Sequence, residues 1–270
     1  MKYCRFLLDG QIHYGIVEEI AGELWIAGPA PAPAEDMVYR LALEQNVPIR
    51  FDFEPMLLGA AELLPPVTPT KIVCVGRNYR EHVQELGNEI PAEPLLFFKP
   101  PSSLLAPGGT VQLPPQSSRV DFEGELALVI AQRTRRFPRE GNWRDVVRGL
   151  TLANDISARD LQKKDGQWTR AKGFDTFCPV GPIVSDEPDL DAGLRLETRV
   201  NGELRQRAST LEFIFPVPEL LSAITAVMTL EPGDLVLTGT PAGVGPLAPR
   251  DRVEVSVKGL GVLSNTVEAD

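Results

Sequence analysis

The segment Asp121-Phe-Glu-Gly-Glu-Leu-Ala-Leu-Val-Ile130 constrains this chain more than any other, because an acidic start runs directly into the apolar stretch Leu126 to Ile130. Read as a strand, it alternates its side chains between two faces, so Glu123 and Glu125 project from the same one, about 6 to 7 Å apart. Two carboxylates that close in a partly buried pocket repel, and one tends to hold a proton. A divalent cation removes the conflict. A second apolar run, Gly149-Leu-Thr-Leu-Ala-Asn154, ends at Asp155, which becomes a third oxygen ligand if the two segments pair side by side. Three carboxylates suit a hard, oxygen-seeking ion, Mg²⁺ or Mn²⁺, with water or substrate in the remaining positions. Alternation of this kind is also what the solvated face of an antiparallel strand shows, so the rest of the chain has to decide.

Composition removes several competing classes. The formal charge of −10 and a pI near 4.9 argue against a polyanion partner, since phosphate backbones are held by clustered Lys and Arg. No apolar run approaches the roughly 20 residues of a membrane span. Asp9 interrupts the N-terminus before a signal-like core develops, and a cytoplasmic location is expected. Cys4, Cys74 and Cys178 form no C-x-x-C pair, and His13 and His82 are too few for a histidine-rich zinc site. Oxygen ligation is what remains.

Along the chain, Asp9-Gly10 and Ala21-Gly22 read as hairpin turns between the strands Tyr3 to Leu8, Ile12 to Val17 and Leu24 to Ala27. The run Pro29-Ala-Pro-Ala-Pro-Ala34 breaks regular structure, and Leu63-Leu-Pro-Pro-Val-Thr-Pro69 reads as a linker. The expected division is a small N-terminal β-rich domain, residues 1–66, and a catalytic domain, residues 67–270. Lys71 to Gly76 is a buried strand, followed by a helix over Arg77 to Leu86 that Asn78 caps and Gly87 ends. On that helix His82 and Glu85 share a face, the arrangement of a general base and the carboxylate that orients it, and also that of an incidental surface pair. The polar stretch Gly87 to Pro94 is expected to be a mobile lid, with a strand, Leu95 to Pro100, returning from it.

A short helix near Trp143 to Val147, a strand over Phe177 to Val184 and a hairpin turning at Asn201-Gly202 follow. Val217 to Met228 has the clearest helical spacing in the chain, and Val253 to Val257 and Val262 to Val267 close it as strands. Between Ile156 and Asp175, a charge-rich stretch read as loop, Arg159, Gln162 and Lys172 could face an anionic substrate, although charged loops are commonly just solvated. Leu235 to Gly245 lacks the Gly-Lys-Ser/Thr ending of a phosphate loop. Its Thr238, Thr240 and glycines can instead offer hydroxyl and backbone N–H groups to a carboxylate.

These residues together resemble the fumarylacetoacetate hydrolase family: Gly76-Arg-Asn-Tyr79 with His82 and Glu85, Leu96 to Pro100, Phe122-Glu-Gly-Glu-Leu126, Asn154-Asp-Ile-Ser-Ala-Arg-Asp-Leu-Gln162, Gln167-Trp-Thr-Arg-Ala-Lys172 and Leu237 to Gly245. The resemblance runs from about residue 70 to 268. It implies a mostly β fold with a few helices, a rolled mixed-sheet domain beside a small N-terminal β domain, usually paired as a homodimer. It implies Mg²⁺ or Mn²⁺ on Glu123, Glu125 and Asp155, with His82, Glu85 and Lys172 as catalytic groups. Arg77, Tyr79, Lys99, Arg159, Gln162 and Thr240 would hold a small anionic oxo acid. The chain is shorter than the fumarylacetoacetate hydrolases themselves and resembles the acylpyruvase, oxaloacetate decarboxylase and isomerase branch. The expected activity is acylpyruvate-type C–C hydrolysis or oxaloacetate decarboxylation, with isomerisation, tautomerisation or a non-catalytic oxo-acid-binding module as alternatives.

Overall fold

The computed structural model of the protein describes residues 1–33, 35–36, 54–85 and 87–270. Ala34, at the end of the proline-alanine run, and Leu86, in the expected first helix, lie outside them. All three dipeptides read as hairpin turns do that work: Asp9-Gly10, Ala21-Gly22 and Asn201-Gly202 each place both residues at positive φ. That is the twist a two-residue hairpin needs.

One large mixed sheet organises the molecule. Its main path runs through Met56–Leu57, Glu23–Pro29, Gln11–Ile20, Lys2–Leu8, Cys178–Ser185, Val147–Asn154, Gly124–Ile130, Leu235–Leu237, Ile72–Gly76 and Leu95–Lys99. Lys2 and Tyr3 pair with Ser185 and Val184, so the N-terminal hairpins continue the same sheet that carries the acidic strand. A second sheet of five strands is ordered Glu203–Ser209, Arg195–Val200, Arg252–Val257, Gly261–Ala269 and Thr110–Leu113. A small third sheet joins Ser157–Ala158, Val120–Phe122 and Gly245–Pro246.

The acidic strand is buried on both faces, which is why its apolar run is continuous. Leu126, Leu128 and Ile130 pack into a core shared with Leu196, Val255 and Val257 of the five-stranded sheet and with Leu220, Leu221 and Ile224 of the helix Val217–Val227. Ala127 and Val129 face the opposite core, with Cys74, Ala153, Val180 and Leu237. Cys4, Cys74 and Cys178 are all free and buried.

Local structure departs from the sequence reading in four places. The stretch Asp121 to Ile130 is two strands, Val120–Phe122 and Gly124–Ile130, and the chain changes sheets at Glu123. Just after the crossing Gly124 packs closely against the five-stranded sheet, where a Cβ would meet Thr198 Oγ1 at 2.0 Å. The first helix is only Arg80–Glu85, and Asn78 does not cap it. Asn78 is instead buried, donating to Phe215 O and Thr238 O and accepting from Phe215 N. Its three bonds to the Phe215 and Thr238 backbones take the place of a cap. The charge-rich stretch after Asp155 is not loop but two short helices, Arg159–Asp165 and Thr169–Lys172, and the turn at Trp143–Asp145 is 3-10.

Candidate active site

Strand pairing builds the acidic centre. Gly124 opposes Asn154 in the antiparallel register, so Asp155 follows directly beside Glu123, its N–H donating to Glu123 O at 2.8 Å. The Asn154 side chain accepts from Glu123 N at 2.9 Å and fixes the turn from the other side. One carboxylate oxygen from each of Glu123, Glu125 and Asp155 then lies within 4.8 Å of the others, and all three residues are buried.

Cations crowd two of the three acids. Lys172 Nζ donates to Glu123 Oε2 and Asp155 Oδ2, each at 2.6 Å, and Lys99 Nζ donates to Asp155 Oδ1 at 2.7 Å and Ile156 O at 3.0 Å. Arg159 contacts Glu123 Oε1 through Nη2 and Asp121 through Nε. Burial pushes the Glu123 carboxyl up, but Arg159 and Lys172 outweigh it and hold the group well below the usual carboxylate range. Lys172 is held up the same way: burial opposes its charge, and Asp155 with Glu123 more than compensates. Glu125 is different. Its one hydrogen bond among the described residues is from Gly239 N at 2.7 Å, and burial together with the neighbouring Asp155 and Glu123 charges drives its pKa far up. An all-oxygen donor set lining a buried cavity, in which Glu125 has no cation of its own among the described residues, fits a hard divalent cation.

That cavity holds about 480 Å³. Of the residues expected at the site, Arg77, His82, Arg159, Gln162, Lys172 and Thr240 line it together with the three carboxylates. Arg159 Nη1 donates to Gln162 Oε1 at 3.1 Å, which leaves the Gln162 N–H groups for a ligand. Arg77, half-buried and at φ +59°, makes no ion pair with any described residue and is an available cation. Lys99 does not line the cavity; it supports Asp155 from behind. Tyr79 is also behind the wall, its ring edge-on to Phe213 at 5.1 Å and its hydroxyl buried without a hydrogen bond among the described residues. Both residues were expected to touch the ligand, and the packing puts them one layer back.

The structure brings His82 and Glu85 together, with His82 directed inward and Glu85 on the exposed side of the pair. His82 is 4% exposed and lines the cavity, with Nδ1 at 3.3 Å from Glu85 Oε2. Burial lowers its pKa against the pull of Glu123 and Glu85, so the ring is neutral at pH 7. Glu85 in turn accepts from Gly243 N, Oε1 at 3.0 Å and Oε2 at 3.2 Å. Thus the loop after Leu235–Leu237 does offer backbone N–H groups to carboxylates, and the acids it holds are the protein's own Glu125 and Glu85. Gly239, at φ +101° and with Asn78 Cβ 2.8 Å from where its own Cβ would stand, can only be glycine in that role.

Sequence reading missed several supports. Asp121 anchors Arg159 at 3.0 Å, Phe97 and Trp168 stack edge-on at 5.2 Å to form an apolar wall, and Gln206 ties Gly124 to the glycine loop. A partial signal existed for Gln206: on the strand after Asn201-Gly202 it shares a buried face with Ala208, although a bulge at Arg205 breaks the alternation just before it.

A β-rich fold carrying a buried oxygen-ligand centre beneath a histidine dyad defines the class of molecule. The chain belongs to the fumarylacetoacetate hydrolase family: residues 71–268 match the family model described as "Fumarylacetoacetate (FAA) hydrolase C-terminal". It is 45% identical over 207 residues to the Arabidopsis thaliana protein named mitochondrial oxaloacetate tautomerase FAHD1, covering 74% of this chain and 91% of that one. It is 44% identical over 199 residues to the mitochondrial oxaloacetate decarboxylase of Dictyostelium discoideum, covering 72% and 91%. The crystal structure of 2-hydroxyhepta-2,4-diene-1,7-dioate isomerase from Mycobacterium marinum superposes with a TM-score of 0.84 at 38% identity, covering 100% of this chain and 99% of that one. Among the described residues no helix is long and apolar enough to cross a membrane.

Proposed function

We propose that this chain is a divalent-metal-dependent enzyme that acts on 2-oxo carboxylates by forming an enolate, with oxaloacetate decarboxylation or keto-enol conversion as its main activity. The observation that carries the reading is the convergence of Glu123, Glu125 and Asp155 within 4.8 Å at the floor of a cavity lined by cationic side chains. A Mg²⁺ or Mn²⁺ ion held by those three carboxylates would supply Lewis-acid stabilisation of a 2-oxo group as it takes on enolate charge.

The chain's own residues do the rest. Arg77, without an ion pair among the described residues, and the Gln162 N–H groups offer a fork and amide donors to a substrate carboxylate. Lys172 stands at the cavity floor with a permanent positive charge that opposes the negative charge growing on the 2-oxo oxygen. In decarboxylation the C3–C4 bond breaks, CO₂ leaves, and its electron pair forms the C2–C3 double bond; no attacking water is needed. In keto-enol conversion a proton leaves C3 and one is added to the 2-oxo oxygen. His82, neutral and oriented through Nδ1 by Glu85, presents Nε2 as the group that accepts and returns that proton.

The same dyad favours a second reading, hydrolysis of acylpyruvates. There His82 deprotonates a water that attacks C4, and enolpyruvate is the leaving group. Chelator-treated protein assayed on oxaloacetate and acetylpyruvate, with Mg²⁺ or Mn²⁺ restored or withheld, tests both. Turnover that vanishes on chelation and returns with the ion supports the proposal. Turnover untouched by chelation overturns it, and ligand-induced thermal shift without product makes the chain an oxo-acid-binding module instead.

A further inference from the structure

Gln206 lies outside every motif discussed above, on the strand Glu203–Ser209 of the five-stranded sheet, and is 1% exposed. Its Oε1 accepts from Gly124 N at 2.9 Å, and its Nε2 donates to Thr240 Oγ1 and Pro241 O, both at 2.8 Å. Thr240 Oγ1 in turn donates to Gly124 O at 2.9 Å. Both backbone polar groups of Gly124, the residue between two of the proposed metal ligands, are therefore tied to one amide side chain and the hydroxyl it orients. The loop that Gln206 pins at Thr240 and Pro241 is the one whose Gly239 N holds Glu125 and whose Gly243 N holds Glu85.

We infer that Gln206 is a positioning residue that sets the acidic centre and the His82–Glu85 dyad in register with each other. The inference rests on the metal-dependent reading above. A buried amide with two donors and an acceptor all engaged across two sheets does more than fill space, because its partners on either side support different parts of the same site. No other side chain bonds both Gly124 and the 240–241 backbone among the described residues.

Two substitutions separate this role from a purely structural one. Gln206→Met keeps the volume and removes all three bonds. Gln206→Glu keeps an acceptor for Gly124 N and loses the donors to Thr240 and Pro241. The readouts are Mn²⁺ affinity of the purified protein by calorimetry, kcat and KM on oxaloacetate with Mn²⁺ saturating, and thermal unfolding. Gln206→Met is expected to weaken Mn²⁺ binding about tenfold and to lower kcat by at least as much, in line with losses when groups that orient metal ligands are removed. Gln206→Glu is expected to recover most of the Mn²⁺ affinity while kcat stays low, since only the Glu85 side of the clamp is then released. If Gln206→Met melts earlier but, while folded, binds Mn²⁺ and turns over like wild type, the positioning role is overturned. Wild-type activity indifferent to chelation would instead sink the metal-dependent reading and leave this outcome distinguishable.

Discussion

Glu125 and Asp155 are both buried carboxylates of the same proposed ligand set, yet replacing each by its amide should affect the metal-free protein very differently. Asp155 carries Lys99 on one oxygen and Lys172 on the other, at 2.7 and 2.6 Å. Asp155→Asn strips an anion from two buried ammonium groups, a loss of about 3 to 5 kcal/mol. At roughly 2 to 4 °C per kcal/mol for a chain near this size, the melting temperature falls by about 10 °C. Among the described residues Glu125 has only the Gly239 amide as a hydrogen-bond partner, and its neighbours are the Glu123 and Asp155 carboxylates within 4.8 Å. An ionised Glu125 would repel each of them by at least roughly 3 kcal/mol at an effective dielectric near 20, and burial together with those charges pushes its pKa well up. Glu125→Gln removes that repulsion with an isosteric side chain and leaves an acceptor for Gly239, so metal-free stability does not fall by more than about 1 kcal/mol. Adding Mn²⁺ at about 100 times its dissociation constant should stabilise wild type by about 2.7 kcal/mol, several degrees, and Glu125→Gln hardly at all. Differential scanning calorimetry with and without Mn²⁺ reads all of this. A Glu125→Gln protein that melts as early as Asp155→Asn without metal, or that keeps the full Mn²⁺ shift, refutes the reasoning.

Three further outcomes follow from the same geometry. His82→Ala should cut acylpyruvate hydrolysis by about 10²-fold or more, the usual worth of a positioned base, and decarboxylation far less, measured as kcat on each substrate; equal losses would remove the water-activating role. Because burial lowers the His82 pKa, the neutral ring persists below pH 6.5, so the acid limb of hydrolysis should lie below that value. The unfolded chain takes up a proton near pH 6.5 that the folded chain refuses, so this group also costs stability as pH falls beneath that point, readable in urea titrations across pH 5 to 7. Gly124→Ala, whose Cβ would stand 2.0 Å from Thr198 Oγ1, should destabilise the fold by about 1 to 3 kcal/mol and weaken Mn²⁺ binding, both measurable on the purified protein.

The acidic centre was legible because its parts are close in sequence or end an apolar run. Glu123 and Glu125 are two apart, and the register of two apolar strands delivers Asp155. The alternation argument nevertheless reached the convergence by an incomplete route: the chain changes sheets at Glu123, and Gly124 there passes too close to Thr198 to carry a Cβ, which no local pattern records. His82 and Glu85 could be read because they share a helix face. Their tether to Gly243, 158 residues from Glu85, could not. Asn78 looked like a cap because a cap is the local use of an asparagine before a helix, and long-range backbone partners at Thr238 and Phe215 took it instead. Lys99 and Tyr79 were assigned to the ligand from their place in a motif, while depth behind the cavity wall depends on how the sheet packs. The hairpins were the simplest case, since positive φ at Asn-Gly or Asp-Gly is a preference of the residues themselves.

The central claim is that three acidic side chains hold one hard cation and leave room beside it for a 2-oxo acid. Anomalous diffraction from crystals soaked in Mn²⁺ and oxalate tests it most directly. The account predicts a single strong manganese peak bounded by Glu123, Glu125 and Asp155, with oxalate bound to it and reaching toward Gln162 and Lys172. Crystals that bind oxalate with no peak among those carboxylates, or with manganese only at surface acids, would contradict it.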